Sequence, residues 1–169
     1  KFRDFARALP SADKTRLAVG LRDFLHGDRQ QGFETMLGIL AKGRLAKWSL
    51  LTIVPNYFSW QQEVFVKPTT AKSVIAFFEL EGIHYHPFPD WQFYEAYRQA
   101  ILEMRSKVDV SLAPNNVAFC DFLKAVIPQF GGVPRRIAAA RYTACWSPSG
   151  STIAVASYGV GRIFLFSRL

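Results

Sequence analysis

Apolar residues in this chain recur every three or four positions, in one stretch after another, each ended by Pro or Gly or opened by a residue that can cap a helix. That period restricts most of the chain to amphipathic helices packed on one another. Phe2, Phe5, Ala6 and Leu9 form the first stripe, Pro10 breaks it, and Ser11 is placed to cap a second helix along Leu17, Leu21, Phe24 and Leu25. Gly27 sits where a left-handed C-cap belongs, and Asp28 can cap a third helix bearing Phe33, Met36, Leu37 and Leu40. The apolar run 45–54 predicts a buried helix that Pro55 ends.

At Glu63 the texture changes. Residues 63–67, Glu-Val-Phe-Val-Lys, are short, β-branched and followed by Pro68, which predicts a strand. Thr69 or Thr70 can cap a helix through Val74, Ile75, Phe77 and Phe78 that Gly82 ends, and the two prolines in 83–89 make that stretch an extended connector. Asp90 caps the clearest helix, with Tyr94, Tyr97, Ile101 and Met104 on its apolar face, and Phe119, Phe122, Leu123 and Val126 give another that Pro128 ends. Residues 142–146, 153–157 and 163–166 are strand-like runs separated by Ser-Pro-Ser-Gly and Tyr-Gly-Val-Gly, turn chemistry that predicts a three-stranded meander. The resulting expectation is an α+β fold in a single domain over 1–169, with a mainly helical, Phe-rich core over residues 1–130 and a basic β-meander over residues 131–169.

Two resemblances accompany this reading. The segment from Ala144 to Ser157 followed by Gly161 to Ser167 resembles one blade of a WD-repeat propeller, without that family's Gly-His and Trp-Asp dipeptides. The central stretch, from Gly43-Arg-Leu-Ala-Lys-Trp48 through residues 63–70 to Phe88-Pro-Asp-Trp-Gln-Phe-Tyr94, resembles segments of bacterial proteins of no assigned activity. The second implies a bacterial, cytoplasmic origin and carries over no functional residue.

Charge is uneven along the chain. Residues 1–121 hold 15 Lys and Arg against all 13 Asp and Glu, whereas 122–169 hold Lys124, Arg135, Arg136, Arg141, Arg162 and Arg168 with no acid. Guanidinium forks match phosphate oxygens, so an acid-free basic third points to nucleic acid or an acidic protein as partner. Arg135 and Arg136, with Arg141, are the candidate contacts there. Arg44, Lys47 and Trp48 add cations and an aromatic at helical spacing, the combination that single-strand binders use for phosphate contact and base stacking.

No G-x-x-x-x-G-K-[ST], G-x-S-x-G or H-E-x-x-H occurs, so three common catalytic signatures are absent. The alternative to a binding module is a metal-dependent hydrolase or nuclease, in which His84 and His86, two apart on one face of an extended segment, join Asp90 around a divalent ion while Lys67 or Arg98 steadies a phosphate. Glu63 and Lys67 do not fit the acid-x-lysine spacing of PD-(D/E)xK nucleases, because Phe65 stands where the acid would be. Cys120 and Cys145 form no CxxC pair, and free thiols are expected; Cys120, between Phe119 and Phe122, reads as a buried inert one. No cofactor is called for and no apolar run reaches the length of a membrane span. The functional expectation is therefore a non-catalytic binding or accessory module.

Overall fold

A computed structural model describes residues 1–108 and 113–127 together with three strand segments, 142–146, 152–157 and 162–167. Among the described residues seven helices precede the strands: α1 (Phe2–Ala8), α2 (Ser11–His26), α3 (Arg29–Lys42), α4 (Trp48–Phe58), α5 (Pro68–Phe77), α6 (Trp91–Ser106) and α7 (Asn116–Val126). Three of them begin as local chemistry dictates. The carboxylates of Asp28 and Asp90 accept from the backbone N–H of Gln31 at 3.0 Å and of Phe93 at 2.7 Å, and the Asn115 side chain does the same for Ala118 at 2.8 Å.

Other boundaries depart from expectation for identifiable reasons. Pro10, not Ser11, precedes α2, and no side chain caps that helix. Gly27 has φ −134°, outside the left-handed region. Pro68 itself opens α5 from the first helical position, where its missing N–H costs nothing, so neither Thr69 nor Thr70 is the cap. The left-handed residue past that helix is Glu79, at φ 50°, followed by Gly82 at φ 73°. Pro55 does not end α4, which runs on to Phe58 with the proline buried inside it.

α2 and α3 form an antiparallel hairpin whose axes approach through glycine: a Cβ on Gly32 would run into the Phe24 backbone and lie 2.6 Å from the Gly20 carbonyl oxygen. Around this pair the core is aromatic. Phe33 stacks on Tyr94 with ring centroids 5.6 Å apart, Phe93 stacks on Tyr97 at 5.7 Å, and Trp48 meets Phe93 at 4.9 Å. Leu51, Val64, Val66, Val74, Ile101, Phe119 and Leu123 complete it.

The α+β expectation is overturned. Throughout 1–108 and 113–127 the described residues are helices and connectors, without a strand, and the packed core is helix on helix. The predicted strand 63–67 pairs with no other strand. Its backbone groups bond side chains instead: Val66 N–H donates to Thr52 Oγ1 at 3.0 Å and the Glu63 carbonyl accepts from Asn116 Nδ2 at 2.8 Å. Alternation in its sequence is real, since Val64 and Val66 are buried, but it serves a strap laid across helices, and a ladder is not needed to satisfy it. The segments β1 (Tyr142–Trp146), β2 (Thr152–Ser157) and β3 (Arg162–Ser167) pair antiparallel in that order, Tyr142 opposite Ser157 and Thr152 opposite Ser167. The turns of the WD-blade resemblance, 147–151 and 158–161, lie outside the described residues. Among the described residues no helix is long and apolar enough to cross a membrane.

Candidate nucleic-acid interface and the buried ion network

The most developed polar constellation in the described body is internal. Glu63, on the strap, is buried, and its carboxylate accepts from the Tyr94 hydroxyl at 2.6 Å and meets Arg29 Nη2 at 2.9 Å and Arg98 Nε at 3.6 Å. Glu95 closes the ring, taking Arg29 Nη1 at 3.3 Å and Arg98 Nη1 at 3.0 Å. Arg98 Nε also donates to the Gln62 carbonyl at 2.7 Å. The Arg29 guanidinium lies 5.3 Å from the Trp91 ring centroid, a cation–π contact. Burial works against its charge, yet Glu63, with Glu95 and Tyr94 behind it, outweighs burial and holds it above its ordinary value. Burial, then the charge and hydrogen bond of Glu63, push the Tyr94 phenol well up, so it stays protonated and donating.

Two carboxylates face two guanidiniums and a neutral phenol. Such a set is balanced within itself, which leaves no carboxylate free to act as general base, and its evident work is to pin the strap on α3 and α6. A second set extends the pin: Arg105 Nη1 donates to Asn116 Oδ1 and, at 3.0 Å, to the Gln61 carbonyl, while Asn116 N–H donates to the Trp60 carbonyl at 3.1 Å. Sequence reasoning missed Arg29, Glu95 and Asn116, which carry no motif and become partners only through tertiary packing.

The residues expected to ligate a metal are not gathered. Tyr85 turns inward, edge-on to Phe93 at 5.7 Å, leaving His84 and His86 exposed on either side of it, while Asp90 is occupied as the α6 cap. Among the described residues no group of three or more His, Cys, Asp or Glu could hold a metal ion. Lys67 is exposed and stands apart from buried Glu63, which is committed to the arginines. Cys120 is a free cysteine whose thiol burial pushes up to about 12, with Asp121 adding to the shift; it is protonated at neutral pH and not a nucleophile.

Of the expected nucleic-acid contacts, Arg135, Arg136 and Arg141 lie outside the described residues. Trp48 is a core residue, 1% exposed, its Nε1 donating to the His86 carbonyl at 2.7 Å, so no base can reach its ring. Arg44 and Lys47, which precede it in sequence, are exposed. Among the described residues neither makes an ion pair or side-chain hydrogen bond, in contrast to Lys42, which pairs with Asp13 at 2.6 Å. They fall in a stretch, residues 35–62, without a single Asp or Glu. The same stretch exposes an aromatic group that sequence reasoning left unassigned: Tyr57 at 75%, Phe58 at 52% and Trp60 at 52%, beside Ile53 and Val54. The available signal was apolarity around more of the α4 circumference than one core-facing stripe requires. By contrast, a groove of about 510 Å³ between residues 79–83 and α6 carries Glu79, Glu81 and Glu103, a lining that repels phosphate. Compared with protein-family models, with curated proteins and with solved structures, the chain matches none.

Proposed function

We propose that this chain is a non-catalytic binding module whose partner is nucleic acid, held by phosphate contacts. One observation carries the reading: among the described residues Arg44, Lys47 and Lys67 are exposed and unpaired around α4, beside a strap whose one acid, Glu63, is buried and neutralised. Cations kept free of intramolecular partners are available to displace the counterions of a polyanion. The acid-free basic stretch 122–169 supports the same partner class. The internal balance of the Glu63 network favours a scaffold over a catalyst.

Fluorescence anisotropy with labelled DNA and RNA tests this. Affinity should fall steeply between about 50 and 200 mM salt, and the log–log slope should flatten by about one per phosphate contact removed, in Arg44→Ala/Lys47→Ala and in Arg135→Ala/Arg136→Ala. Absence of binding to any oligonucleotide at the lower salt overturns the reading and leaves an acidic protein as the partner of such a surface.

A further inference from the structure

We propose that Tyr57 and Trp60, at the C-terminal end of α4, form a stacking platform for the bases of a single-stranded nucleic acid, with Arg44, Lys47 and Lys67 taking its phosphates. This rests on the nucleic-acid reading above and narrows it to unpaired strands and to the surroundings of α4. Monomeric proteins seldom leave several large apolar side chains exposed together without a use for them. Here Ile53 and Tyr57 are one helical turn apart, as are Val54 and Phe58, and all four are exposed.

The rings are held on a fixed backbone. The turn after α4 is closed by the N–H groups of Gln62 and Glu63, both bonding the Ser59 carbonyl at 2.8 Å. The carbonyls of Trp60 and Gln61 are taken by Asn116 and Arg105, and Gln61 Nε2 donates to the Pro114 carbonyl at 2.8 Å. Phe58 is braced by His26, edge-on at 4.9 Å. Tyr57 and Trp60 therefore present their rings from a backbone that need not be ordered on binding, which lowers the entropic cost of association.

Charge complementarity selects the occupant. Lys47 precedes the first turn of α4, and an eleven-residue helix spans about 16 Å, within reach of a strand several nucleotides long. Lys67 follows Val66, whose N–H bonds Thr52 in the middle of α4, so a second cation flanks the same helix. Residues 35–62, which carry Arg44, Lys47, Tyr57 and Trp60, contain no acid. Rings, and the Gln62 amide that is exposed and unpaired among the described residues, suit bases better than acyl chains. Moreover, α4 already commits Trp48, Leu51, Thr52, Pro55 and Asn56 to the core and cannot lay a full apolar face on a bilayer.

The test uses the full chain with labelled oligothymidylate and oligouridylate, the matching duplex, and vesicles of mixed phosphatidylserine and phosphatidylcholine. Tyr57→Ala and Trp60→Ala should each weaken single-strand binding about tenfold and duplex binding little, with the salt slope unchanged, and Tyr57→Phe and Trp60→Phe should restore it. Strand addition should quench tryptophan emission in the parent protein and much less in Trp60→Phe. Unaltered single-strand affinity in both alanine variants, with salt-dependent binding intact, overturns the platform and leaves the broader reading standing. No binding to any oligonucleotide overturns both. Binding to vesicles but not oligonucleotides, lost in the alanine variants, assigns the patch to lipid and overturns the proposal.

Discussion

Glycine acts in opposite ways at two positions of α3. Gly32 lies where that helix meets α2, and a methyl group there would collide with the Phe24 backbone, which cannot move aside as a flexible side chain could. Gly38, six residues on, is exposed and has nothing within 4 Å of its virtual Cβ. Helix propensity alone favours Ala over Gly at both sites by about 1 kcal/mol. Gly38→Ala should therefore raise stability by roughly 0.5–1 kcal/mol in urea unfolding, while Gly32→Ala should lower it by about 2 kcal/mol as overpacking exceeds the propensity gain. Equal effects at the two sites would mean that α2 and α3 do not approach as described.

The strap between α4 and α5 shows which elements of the fold the sequence makes legible and which it does not. Helices α3 and α6 are legible because stripe and cap lie within a few residues of one another, whereas α2 is legible from its stripe and the preceding Pro10 alone. Asp28 and Asp90 need only the N–H three positions on. Residues 63–67 look like a strand for equally local reasons, but their hydrogen-bond partners, Thr52 and Asn116, sit 14 and 53 positions away, and no local rule chooses a side chain over a neighbouring strand. Pro55 misleads for a related reason: packing outweighs the hydrogen bond it removes. The candidate site divides likewise. Arg44 and Lys47 are legible from charge, whereas the burial of Trp48 and the exposure of Tyr57 and Trp60 depend on which side of α4 the other helices cover. Glu63→Gln should leave Arg29 and Arg98 with Glu95 as their one remaining carboxylate and Tyr94 with a neutral acceptor, and cost about 2 kcal/mol, the scale of losing charge-assisted hydrogen bonds in a partly buried network. A loss below about 0.5 kcal/mol in chemical denaturation would show that the strap is held by its apolar residues alone.

Across the whole molecule, the interior joins ionisable groups to apolar packing in a way that sets how the fold responds to alkali. Burial pushes the phenols of Tyr94 and Tyr97 well up, with Glu63 adding to the first and Cys120 to the second, and the Cys120 thiol is pushed up to about 12. In the unfolded chain a thiol titrates near 8.5 and a phenol near 10. The folded state therefore keeps protons that the unfolded state has released. Stability held below those unfolded values is lost as pH rises through them, each group contributing up to about 1.4 kcal/mol per pH unit. The urea midpoint should begin to fall near pH 9, as Cys120 becomes linked, and fall more steeply past about pH 10, as Tyr94 and Tyr97 join. Cys120→Ala should flatten the first leg and Tyr97→Phe a share of the second. These three groups belong to α6 and α7, so the alkaline transition reports on how tightly that pair closes the aromatic core. A midpoint unchanged from pH 8.5 to 10.5 would require water to reach both phenols, which is incompatible with the packing of Phe33 on Tyr94 and of Phe93 on Tyr97.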